Sequence, residues 1–130
     1  ITVAISPKQI CFGDMATVIG IFENQYKKKL PLTVVKPGSQ TRRFTHIHDT
    51  VKACFFAWKK NKCLHYSITS KSSYSIIEVA KMFKSKIKYL PERPGERFAS
   101  ALTNMNLSNK VYRLYGQKKL KDYIKKIVKN

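Results

Sequence analysis

Four stretches of this chain repeat apolar residues at helical spacing, and short β-branched runs separate them. That alternation narrows the fold more than any other feature. In the first stretch Met15, Val18, Ile19 and Phe22 recur at i, i+3, i+4 and i+7 behind Asp14, a candidate N-cap, and the stretch runs out before Pro31. In the second, Val51, Cys54, Phe55 and Trp58 form a stripe after Asp49, another candidate cap, and Ala53, Phe56 and Ala57 widen it. A stripe that wide implies burial on more than one side. The third has the clearest start. Ser75 and Glu78 are spaced as a capping box, Tyr74 and Val79 hold the staple positions, and Ile76, Val79, Ala80 and Phe83 face inward. The fourth, after Gly116, sets Leu120, Tyr123, Ile124 and Ile127 on one face. Residues 32–35, 44–47, 65–69 and 86–90 read as short strands. The pattern predicts a mixed α/β (α+β) fold of about four helices and short strands, with too few strands for a complete doubly wound sheet.

A chain of 130 residues predicts one domain spanning 1–130, able to bury roughly two-thirds of its unfolded surface. A hydrophobic content of 43% supports a folded core. No apolar run reaches the ~18 residues of a membrane span, and the first residues lack the basic start and apolar stretch of a signal peptide. A start at Ile1 rather than methionine reads as a chain cut from something longer. Cys11, Cys54 and Cys63 are odd in number and lack CxxC spacing. A disulfide framework or zinc site is therefore not expected, and a reducing cytoplasm is the default. The net charge of +19 favours polyanionic partners. Yet runs such as Lys27, Lys28 and Lys29 suit solvated helix C-termini, and no nucleic-acid motif accompanies them. A small basic nucleic-acid-binding protein is the alternative from another class.

The residues richest in chemistry are two arginines fifty-one positions apart. Arg42 follows the Pro37-Gly38 turn signal, and Arg93 precedes Pro94-Gly95 after the last strand. A guanidinium fork matches two phosphate oxygens at once, so arginines converging from separate loops suit a pyrophosphate, with Glu96 placed to accept from sugar hydroxyls.

The segments around them resemble the substrate half of nucleotide-sugar epimerases of the extended short-chain dehydrogenase/reductase family, nearest in look to UDP-glucose 4-epimerases. The resemblance runs in order through Ser6-Pro-Lys-Gln9, Met15 to Phe22, Pro31 to Val35, the run Arg42, Arg43, Phe44, Thr45, His46, Ile47, His48, Asp49, and Arg93-Pro-Gly-Glu96. It implies that Arg42 and Arg93 grip the pyrophosphate of a nucleotide-sugar and that Glu96 meets the ribose. It also implies that Thr33 and Val35 pack against the base, that Thr17 lines the nucleotide pocket, and that Gln40 sits in the same loop. Three features depart from the family's pattern: Arg43 where many members have Asp, Ser6 and Lys8 for Gly and Arg, and Lys36-Pro37-Gly38 for a Gly-Asp-Gly turn. A related dehydratase, decarboxylase or reductase would share this half.

The half that does the family's chemistry is not in this sequence. Glycines 13, 20, 38, 95 and 116 give no dinucleotide-binding fingerprint. Tyr115 and Lys119 match a Tyr-x-x-x-Lys pattern, but in a segment where the family has no catalytic residues. NAD is thus expected of the full-length family and not of this chain, and no residue here is assigned a catalytic role. His46, His48 and Asp49 with Cys63 and His65 raise a metal site, against which His46 reads as an ordinary strand histidine and Asp49 as a cap. In the family the second helix and the strand at 65–69 lie against an N-terminal Rossmann half. Without it, Phe55, Phe56 and Trp58 are expected to form an exposed patch and drive self-association.

Overall fold

The helical stripes and β-branched runs condense into two small sheets with helices packed on them. The computed structural model describes residues 2–60, 70–95 and 117–129. In chain order, β1 (Thr2–Ile5) leads to α1 (Val18–Lys27), β2 (Leu32–Val35), β3 (Thr41–His46), α2 (Ile47–Lys60), β4 (Ser73–Ser75), α3 (Ile76–Met82), β5 (Ile87–Leu90) and α4 (Leu120–Lys129). Strand β3 is central to one sheet, parallel to β1 with Ile5 opposite His46, and antiparallel to β4 with Thr41 opposite Ser75. The second sheet pairs β2 with β5 in parallel, Leu32 opposite Ile87. Each parallel pair is joined through intervening helix, as parallel pairing requires.

One core joins these elements. Ile19 and Phe22 of α1, Leu32 and Val34 of β2, Phe44 of β3, Val79 and Ala80 of α3, and Leu120 and Ile124 of α4 are all buried in it. Phe83, just past α3, meets Phe22 edge-on at 6.0 Å between ring centroids. Each fully buried Val, Leu, Ile or Phe among them contributes about 1.5–3 kcal/mol. The capping box forms as its spacing predicts: Glu78 N donates to Ser75 Oγ at 3.2 Å, and Ser75 N donates to Glu78 Oε2 at 2.7 Å. These donors from Ser75 hold the Glu78 carboxyl below the usual carboxylate range.

Several expectations need correction. The first helix is capped by Thr17, not Asp14: Gly13 adopts φ +77°, and a turn from Ala16 N to Gly13 O (3.1 Å) delays the helix. Met15 therefore lies outside the stripe and is 79% exposed. Asp49 is not a cap either, because α2 begins at Ile47. Asp49 is buried in the first turn, where its Oδ2 accepts from Lys118 N at 2.9 Å and so ties the start of α4 to α2. The strand expected at 44–47 begins at Thr41 and gives way to helix at Ile47. Strands β1 and β4 were not foreseen. The expected strand at 65–69, and Cys63, His65, Glu96, Gly116 and Tyr115, lie outside the described residues.

Candidate functional site

The loop between β2 and β3 builds the site. Its Lys36–Pro37 peptide is cis, and Gly38 adopts φ +79° with Val34 Cγ1 only 3.0 Å from where a Cβ would lie. A side chain there is excluded by both conformation and space. The loop's carbonyls satisfy the first amides of α3, with Ile77 N donating to Gly38 O (3.0 Å) and Ile76 N to Gln40 O (3.1 Å). That pinning draws Gln40 inward until it is 2% exposed. Its Nε2 donates to Val35 O at 3.3 Å, while its Oε1 has no hydrogen-bond partner among the described residues.

The strand pleat then separates two adjacent arginines, because successive side chains leave opposite faces. Arg43 shares a face with Thr45, and both hold the chain near residue 70. Arg43 Nη1 donates to Ser70 O (2.9 Å) and to Lys71 O, and Ser70 N donates to Thr45 Oγ1 (2.9 Å). The Arg43 guanidinium is thus engaged by backbone carbonyls. Arg42 lies on the other face of β3, half-buried, with its Nη1 also donating to Thr41 O at 2.8 Å.

That face of β3 forms one wall of a cleft of about 500 Å³. Arg93, exposed in the loop after β5, also lines it, so the two guanidinium groups arrive from different sheets. Thr17, Thr33, Val35 and Gln40 line the same cleft. Six of the seven residues singled out from the sequence therefore meet at one place, and Glu96, the seventh, lies outside the described residues. Thr17 caps α1 through Gly20 N (3.1 Å) and donates to Gln9 Oε1 (2.8 Å), which sets the N-terminal end of α1 against the cleft. The first turn of α1 carries no acidic residue, so its positive dipole end is not offset locally. Thr33 is fixed by Gln25, whose Nε2 donates to its hydroxyl (2.8 Å) and whose Oε1 accepts from its amide (3.0 Å). Val3, Ala16, Ile21, Ile76 and Leu90 supply apolar wall that sequence reasoning missed. The β-branched run at Thr2 to Ile5 was the signal that could have found the β1 contribution. No carboxylate lines the cleft among the described residues.

The histidines do other work. His48 N donates to His46 Nδ1 (3.2 Å), and His46 packs edge-on to Tyr123 at 5.9 Å. Burial, with Lys118 nearby, holds His46 below its ordinary pKa. No group of three metal-ligating residues occurs among the described residues.

No family model matches this sequence, and no curated protein does. Solved structures do match its shape. The UDP-glucose 4-epimerase of Thermotoga maritima with UDP-glucose superposes with a TM-score of 0.75 at 18% identity, over 97% of this chain and 42% of that one. The UDP-N-acetylglucosamine 4-epimerase of Methanobrevibacter ruminantium, in complex with UDP-N-acetylmuramic acid, gives 0.77 at 21% identity with the same coverage. The dTDP-glucose 4,6-dehydratase of Bacillus anthracis in complex with NAD gives 0.78 at 16%, over 98% of this chain and 42% of that one. The fold is that of the C-terminal portion of nucleotide-sugar epimerases. This chain spans about two-fifths of the length of the enzymes it matches.

NAD is bound in the dehydratase structure. Among the described residues one glycine lies within a helix, and it does not form the open cradle that the cofactor's pyrophosphate needs. That glycine, Gly20, is packed shut, since a Cβ on it would meet Ile10 O at 2.5 Å and Thr17 Oγ1 at 2.9 Å. No helix among the described residues is long and apolar enough to cross a membrane.

Proposed function

We propose that this chain is the substrate-binding half of a UDP-glucose 4-epimerase-like protein and holds the nucleotide diphosphate of a sugar substrate. One observation carries the reading: Arg42 and Arg93 arrive from separate sheets at the walls of one cleft, with α1 presenting its N-terminal end there. The arginines would clasp the pyrophosphate, and the helix dipole would add to them. Val35 and the backbone of β2 around Thr33 would pack on the base, Gln40 Oε1 would accept from a ligand donor, and Glu96 would meet the ribose. Epimerisation itself would require NAD and the tyrosine–lysine pair of an N-terminal Rossmann half, in a reducing cytoplasm. On this reading the chain alone binds substrate and turns over none.

Thermal shift and calorimetry with UDP-glucose, dTDP-glucose and uridine test the proposal. The nucleotide-sugars should bind and uridine should bind far more weakly. Arg42→Ala and Arg93→Ala should each lose about 10–150-fold in affinity, the worth of a charge-assisted hydrogen bond. Equal binding of uridine and UDP-glucose, or arginine variants with unchanged affinity, would sink the reading.

A further inference from the structure

A second and larger concavity, about 1040 Å³, lies away from the arginine cleft, between the C-terminal end of α1, the turn after α3, and α4. Six lysines line it: Lys8, Lys27, Lys29, Lys84, Lys86 and Lys126. The single carboxylate in its wall, Glu23, is already paired with Lys27 at 2.8 Å. No arginine lines it, in contrast to the other cleft.

The backbone marks the same place independently. Among the described residues three non-glycine positions adopt positive φ: Lys8 (61°), Lys29 (56°) and Lys84 (54°). All three border this groove. Lys29 and Lys84 each follow a helix end, closing turns back to Tyr26 O (3.0 Å) and Lys81 O (3.1 Å), where glycine is the favoured residue. A chain that keeps a cation in a left-handed conformation three times, around one cavity, holds strain where charge is useful.

The ligand follows from what the groove offers and what it lacks. Lysines are point charges without the fork that selects one phosphate geometry, so they suit a run of phosphates. The two tyrosines in the wall are committed elsewhere. Tyr26 is tilted against the Phe83 ring at 5.8 Å, and Tyr123 Oη lies 2.9 Å from Ser6 O and 3.3 Å from Glu23 Oε2. Neither ring is a platform for stacking bases. A rigid duplex would not follow a concavity between helices of ten residues, each about 15 Å long, whereas a flexible single strand can. A flat bilayer surface would not reach its floor. We propose that this groove binds the phosphodiester backbone of single-stranded nucleic acid without reading its sequence.

The experiment is fluorescence anisotropy of a labelled twenty-nucleotide poly(dT) strand titrated with the 130-residue chain at several salt concentrations. The five lysines other than Lys27, which is paired with Glu23, predict a slope of log affinity against log salt of about −3.5, at about 0.7 per contact on a single strand. The triple variant Lys8→Gly, Lys29→Gly and Lys84→Gly should flatten the slope to about −1.4 and weaken binding at least tenfold at low salt. Its melting temperature should stay level or rise, because glycine relaxes each left-handed position. A control of equal charge, Lys52→Gln, Lys59→Gln and Lys60→Gln on α2, should leave the slope near its original value. Absence of binding at 50 mM salt, equal losses in the two triple variants, or tighter binding to phosphatidylserine vesicles than to the strand would each overturn the proposal.

Discussion

Helix α3 has seven residues and α2 has fourteen, yet the shorter one is far better integrated. Helix α3 is capped by the Ser75–Glu78 box, buries Ile76, Val79 and Ala80, and passes directly into Phe83 at the centre of the core. Helix α2 buries only Ala53 and Asp49. Its apolar stripe points outward, with Phe55 55% and Trp58 75% exposed and the two rings 5.7 Å apart. The difference teaches that an amphipathic pattern shows a face is meant to be covered, and not what covers it. We propose that another chain covers α2, by self-association or through a Rossmann half.

Substitutions can break that contrast, beginning with the largest effect. Phe83→Ala should cost about 3–5 kcal/mol in chemical denaturation, since it opens a cavity against Phe22 and Tyr26. An effect as small as that of an exposed residue would show that α3 is no better packed than α2. Asp49→Ala should cost about 1–3 kcal/mol, because it removes the buried carboxylate's hydrogen bond from the Lys118 amide. Faster hydrogen exchange confined to α4 would locate that loss. Ser75→Ala should cost about 1 kcal/mol through the lost cap, read from the same denaturation curves.

Trp58→Ala should change stability by less than about 0.5 kcal/mol. It should nevertheless abolish concentration-dependent association in sedimentation; a wild-type chain that stays monomeric would remove the premise.

The smallest effect is on pH dependence. The folded pKa of Glu78 is depressed, so its contribution is complete above the unfolded value of about 4.5 and is lost as pH falls through the folded one. Glu78→Gln should therefore lower stability slightly at neutrality, where that contribution is complete, and converge with the wild type at the acid end, so that its profile is flatter below about pH 4.5. An identical acid limb in the variant would show that the box does not set it.

What could be read from the sequence divides by distance along the chain. Period and capping grammar located four helices and set the inward face of α3 residue by residue, since these depend on neighbours within one turn. The choice between Asp14 and Thr17 as the first cap was not local. It was settled by contacts of Thr17 with Ile10 and Gln9. Strand β4 spans three residues, too few for alternation to register. The exposure of Phe55 and Trp58 was expected from the family resemblance and not from the stripe itself, while Phe56 beside them is half-buried and Ala53 is buried.

The candidate site shows the same division. The types and local turns of Arg42, Arg93, Thr17, Thr33, Val35 and Gln40 came from the sequence, with the family resemblance naming their roles. The sequence alone determined the four helices, the strands β2 and β5 and that cations flank two turns, because backbone propensity and side-chain chemistry act within a few residues. Only the tertiary structure decided that β2 and β3, separated by the short 36–40 loop, enter different sheets, and that Arg42 and Arg93 line one cleft between them. Pairings such as Thr2 with Arg43 and Val35 with Leu90 join residues far apart in sequence, and burial of the shared core selects them.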